Sequence, residues 1–194
     1  MNGQMPTRLD GVSATVNGRA AFVEYISSKQ VNVLTPLDTT QGTVQVQLVN
    51  AAGASASVYV ALQQFAPGLF VFNGGPYVAA THADGSYVGP LTLYPGATTP
   101  AKQGEVVVLF ANGFGQTSPP VLNGSPVQSG TLPTLPTITV GGIAATVQFA
   151  GVVSPGEYQF NVVIPASIPD GDNALTVQYG GFSSQAGLLV SVQH

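Results

Sequence analysis

The chain has 194 residues, 44% of them hydrophobic, with only four basic and eight acidic side chains and no cysteine. So few cations cannot neutralise a run of phosphates, which excludes a nucleic-acid binder and a polybasic membrane patch. The lack of cysteine excludes a disulfide framework, a thiolate metal site and a cysteine nucleophile.

The 24 glycines and 15 prolines accompany a high apolar content and a net charge of −4. Disorder needs the opposite balance, so they read as turn punctuation between short strands. The longest apolar run, Val106 to Ala111, is far too short to span a bilayer as a helix. The N-terminus, MNGQMPTRLDG, lacks the basic-then-apolar pattern of a signal peptide.

In chain order, residues 1–11 read as an irregular lead-in, and Val12 to Val16 as the first strand. Asn17-Gly18 is a type I′ hairpin signal, since both central residues of that turn need positive φ. Ala20 to Ile26 and Val31 to Thr35 follow as strands, the second stopped at Pro36. Thr43 to Asn50 alternates with Val44, Val46 and Leu48 on one face, and Ser57 to Gln63 does the same with Val58, Val60 and Leu62.

Phe65 to Phe72 reads as a packed joint, and residues 74–102 as ordered but irregular, with a short strand at Val78 to Thr81. Glu105 to Ala111 is the most apolar strand and is expected to be covered on both faces. Residues 118–136 carry many prolines and read as a surface loop with one edge strand. Strands are then expected at Thr137 to Val140, Ala144 to Phe149, Tyr158 to Ile164, Ala174 to Tyr179 and Gly187 to Val192. No apolar pattern persists at helical spacing, so the class is all-β.

Thr15 to Pro36 and Thr139 to Pro165 echo each other. Each has a hairpin turn (Asn17-Gly18, Gly141-Gly142), an aromatic-bearing strand (Phe22 to Tyr25, Thr146 to Phe149) and a strand ending at a proline (Pro36, Pro165). The repeat divides the chain into a first β-sandwich module at 1–64, a packed joint at 65–103 and a second module at 104–194. The strand Glu105 to Ala111 has no counterpart before the first copy. The first module is therefore expected to be trimmed or open at one sheet edge, and an open edge invites a homodimer by strand addition.

The run Gly104 to Gly115, Val140-Gly141-Gly142, and Val163-Ile164-Pro165 with Gly171 resemble the IPT/TIG immunoglobulin-like fold. Most of the chain resembles a C-terminal domain family of Solibacter and other Acidobacteria. Further landmarks are Pro6-Thr7, Gly11-Val12, Gln30-Val31-Asn32, Ala66 to Phe70 and Asp84-Gly85-Ser86. The resemblance implies two tandem Ig-like β-sandwich modules at the tail of a larger exported bacterial protein, in an extracellular or cell-envelope setting. It implies no activity, no cofactor and no catalytic residue. The chain departs from the family by starting at Met1, without the usual upstream strand.

Candidate chemistry is sparse. His82 is near Asp84 and Ser86, but three polar residues in one turn-rich stretch rarely form a triad, and no G-x-S-x-G elbow is present. The loop Asn112 to Thr117 follows a strand but leads to Pro119-Pro120 rather than to the helix that a phosphate site requires. Asp170, Asp172 and Asn173 offer three oxygen-bearing side chains, too few for calcium, and read as a turn. Tyr77, Tyr87 and Tyr94 lie in the irregular segment, where aromatic faces can serve as platforms for sugar rings. The expected function is a non-enzymatic interaction or spacer module that meets a protein or polysaccharide surface. Polysaccharide binding through the three tyrosines is one alternative, and a hydrolase with an unrecognised site is another.

Overall fold

The computed structural model describes residues 3–194, and all regular structure within them is strand apart from a single 3-10 turn at Phe72–Gly74. The chain forms two compact units. Among the described residues the first comprises 3–64 with 121–128 and 154–156; the second comprises 65–120, 129–153 and 157–194.

In the first unit the strands are β1 (Arg8–Leu9), β2 (Val12–Val16), β3 (Arg19–Ala20), β4 (Phe22–Ile26), β5 (Val31–Leu34), β6 (Gly42–Asn50), β7 (Gly53–Ala54) and β8 (Val58–Leu62). β1, β2, β6 and β7 form one sheet in that order, with β3 on β2 and β8 on β6. β4 and β5 form a separate two-stranded sheet. Ala14, Val16, Ala21 and Val44 are the buried core, with Val33, Val46 and Leu62 packed on it. The Asn17-Gly18 turn has φ of 51° and 72°, as the sequence requires.

Residues 121–128 belong to this unit through long-range contacts: Met5 N donates to Gly124 O, and Leu37 N donates to Asn123 Oδ1. A Cβ on Gly124 would stand 2.3 Å from the Phe22 ring, so only glycine lets the loop lie there.

In the second unit the strands are β9 (Gly68–Leu69), β10 (Ala80–Thr81), β11 (Tyr87–Val88), β12 (Thr98–Thr99), β13 (Val106–Asn112), β14 (Gly130–Thr131), β15 (Thr137–Val140), β16 (Ile143–Ser154), β17 (Glu157–Val163), β18 (Gly171–Tyr179), β19 (Phe182–Ser183) and β20 (Leu189–Val192). They run in the order β12-β11-β10-β13-β17-β16-β15-β18-β19, with β9 on β13, β14 on β16 and β20 on β18. The result is all-β and sandwich-type, without a closed barrel.

Two expectations are corrected here. Residues 65–103 are not a joint: β9 and β10 both hydrogen-bond to β13, with Ala111 opposite Leu69 and Ala80 opposite Leu109, so the segment is part of the second unit. β13 is not buried on both faces. Val107, Leu109 and Ala111 are buried, while Val106, Val108 and Phe110 are half-buried, because only one face meets the core.

That core holds Phe114, whose ring contacts those of Tyr158, Phe160 and Tyr179 at centroid distances of 5.7, 4.7 and 5.6 Å. The turn that presents Phe114 depends on Gly113, where a Cβ would lie 1.9 Å from Ala66 O.

Candidate functional site

Tyr87 and Tyr94 come together on the second unit. β11 pairs in parallel with β12, setting Tyr87 beside Thr98. Thr98 is buried, and its hydroxyl donates to Pro90 O while accepting from Tyr94 N, which fixes the loop carrying Tyr94. The two phenol rings lie 6.2 Å apart, and each meets Phe72, at 5.3 and 5.5 Å, edge to face. Tyr87 is 46% exposed. Among the described residues neither hydroxyl has a protein hydrogen-bond partner, so both are available to a ligand.

Tyr77 stands apart from this cluster. Its hydroxyl donates to Asp172 Oδ2 at 2.7 Å, which raises its pKa, and it forms a parallel bridge with Leu189. Phe72, which supports both rings, was missed because the sequence reads as a packed joint that ends there.

A second polar site lies in a hollow of about 550 Å³ lined by His82, Asp84, Ser86, Thr99, Lys102 and Glu105 among others. Ser86 lines this hollow, while its neighbour Tyr87 is in the aromatic cluster. His82, Asp84 and Ser86 are not brought together as a triad. Asp84 Oδ1 instead accepts from Ser86 N and Oγ, closing a local turn that holds the Asp84 carboxyl below its ordinary pKa.

His82 reaches residues far along the chain. Its Nδ1 is 2.6 Å from Glu105 Oε1 and its Nε2 is 2.9 Å from Thr99 Oγ1. Glu105 Oε2 also accepts from Lys102 N. This hydroxyl–imidazole–carboxylate order is the arrangement of an activated nucleophile. Nδ1 faces a carboxylate, which accepts its N–H, so Nε2 of the neutral ring is left to accept from Thr99 Oγ1, and the ring ties Thr99 to Glu105. We therefore read the three as a clip joining β10, β12 and the start of β13.

Asp170, Asp172 and Asn173 are committed separately. Asp170 accepts from His194 N, Asp172 holds Tyr77, and the buried Asn173 donates to Pro169 O and Gly171 O. Among the described residues no group of three or more His, Asp or Glu side chains is placed to hold a metal.

No family model matches this chain, and no curated protein does. One solved structure, Bacteroides ovatus mixed-linkage glucan utilization locus SGBP-B in complex with a mixed-linkage heptasaccharide, is similar over 97% of this chain at 15% identity, with a TM-score of 0.28. The chain spans 39% of that chain's length. So distant a likeness assigns neither a ligand nor a site here. Among the described residues no helix is long and apolar enough to cross a membrane.

Proposed function

We propose that this chain is a non-enzymatic, polysaccharide-binding interaction module, working in an extracellular or cell-envelope setting. One observation carries the reading: Tyr87, about half exposed, is braced by Phe72 and Tyr94, with both tyrosine hydroxyls unpartnered. A rigid aromatic face gives up little entropy when a sugar ring's apolar C–H face settles on it, and the free hydroxyls satisfy sugar hydroxyls at its rim. With few charged groups anywhere on the chain, the ligand expected is a neutral glycan.

Affinity electrophoresis through gels containing neutral soluble polysaccharides tests this. Retardation by at least one polysaccharide, abolished in Tyr87→Ala and weakened in Tyr94→Ala, is the expected result. Unretarded migration in every gel, or retardation untouched by Tyr87→Ala, overturns it and leaves the plain spacer role.

A further inference from the structure

We propose that β8 of the first unit is a pairing edge, and that the strand it takes is β8 of a second copy of this chain. This inference is independent of the sugar site.

The internal repeat identifies the edge. β6 pairs with β2, β7 and β8 as β18 pairs with β15, β19 and β20. The registers correspond: Val44 faces Val60 in the first unit, and Asn173 faces Val190 in the second. By that correspondence Tyr59 is the counterpart of Leu189, and Ala61 of Ser191.

In the second unit the outward backbone groups of this strand are satisfied. Leu189 N donates to Pro76 O, Leu189 O accepts from Val78 N, and Ser191 O accepts from Ala101 N. In the first unit nothing described takes those places. Gln45 O accepts from Asn17 N on the β2 side, so the even-numbered residues of β6 face β8, and Val58, Val60 and Leu62 are the β8 residues bonded to it. The N–H and C=O of Tyr59 and Ala61 therefore point outward, unpaired.

The side chains are bare as well: Val58, Tyr59 and Val60 are 60%, 67% and 41% exposed. Val60 and Val58 share the strand face of Leu62, which packs on the core, but the two-stranded β4–β5 sheet does not extend over them. Native edges are usually guarded by charge, proline or a bulge. Here residues 53–64, GASASVYVALQQ, carry none of these guards.

Self-pairing satisfies each of these features at once. With a two-fold axis through Val60, Tyr59 of each copy exchanges both backbone hydrogen bonds with Ala61 of the other, the closely bonded antiparallel pair. Val60 meets Val60 across the axis as the non-bonded pair, and Val58 falls opposite Leu62. The uncharged strand brings no like charges together, and the core-side valines of both copies form one continuous apolar strip.

Light scattering of the full chain over a concentration series is the test, with two variants. Ala61→Pro removes an outward N–H while leaving the β6 ladder intact, a substitution tolerated only at a solvent-facing edge. Val60→Lys sets two ammonium groups against each other on the axis. A concentration-dependent dimer that weakens roughly tenfold or more in each folded variant is expected. A monomer at every concentration up to about 1 mM overturns the proposal. So does a dimer of unchanged strength in Val60→Lys.

Discussion

Nδ1 of His82 lies 2.6 Å from Oε1 of Glu105, a contact between residues 23 positions apart. With Thr99 on the other ring nitrogen, it pins two short ribbon strands to β13. His82→Ala is expected to lower stability by about 1–2 kcal/mol, read as a fall in the thermal midpoint. Because we assign the trio a structural role, wild type and His82→Ala should hydrolyse a chromogenic acetyl ester at the same background rate. A rate that depends on His82 would instead make this hollow a hydrolytic site.

Asp38 is expected to hold the acid stability of the first unit's hairpin. It accepts from Asn17 Nδ2, from Thr40 N and Oγ1, and lies 3.8 Å from Arg19. These donors, Asn17 foremost, lower its pKa from 3.8 to about 2. A depressed carboxyl stabilises the fold above its unfolded value, and that contribution is lost as pH falls from 3.8 through about 2. Asn17→Gly keeps the positive-φ turn while removing the amide, so the carboxyl titration followed by NMR should move upward.

Tyr158 gives the opposite pH dependence. Its hydroxyl donates to Gly115 O, and burial first, then the neighbouring Tyr179, pushes its pKa to about 12. The raised value keeps the neutral phenol in the fold, so its stabilising effect is complete below pH 10.0 and fades as pH rises to about 12. Ultraviolet titration should show a phenol ionising near pH 12 that is lost in Tyr158→Phe, while Tyr77, whose pKa is also raised, titrates late in both proteins. The same variant should lose about 1 kcal/mol from the broken hydrogen bond.

Gly113 and Gly96 both have φ of 80°, yet alanine should affect them differently. At Gly96 an added Cβ meets nothing, and only backbone strain of about 1 kcal/mol is expected. At Gly113 the Cβ would overlap Ala66 O, the turn under Phe114 would have to open, and the loss should exceed about 3 kcal/mol. Chemical denaturation of the two variants side by side measures the difference.

Strands with a clear period of two were readable from the sequence. Val12–Val16, Thr137–Val140 and the register-setting turns at residues 17–18 and 141–142 occur where alternation and glycine place them. The region 65–103 was readable only at the strand expected over Val78 to Thr81, where β10 forms, because its strands are two residues long and owe their existence to partners such as Leu109. Two residues cannot display a period. The tyrosine platform was half legible: exposed aromatics in an irregular stretch marked Tyr87 and Tyr94. The 3-10 turn that brings Phe72 beneath them, and the bond that diverts Tyr77, are tertiary events. The His82 clip was hidden for the same reason, since its partners Thr99 and Glu105 are far along the chain.

The Asn17-Gly18 corner also sets how this molecule ages. An exposed asparagine followed by glycine is the sequence most prone to succinimide formation, because no side chain hinders attack of the glycine nitrogen on the amide carbon. Here the same amide is held by Asp38 and Thr40, so the leaving ammonia is tethered at its donor end. Once that hold slips, deamidation would place a second carboxylate beside Asp38. The isoaspartyl product would also lengthen the backbone at the hairpin's tightest point.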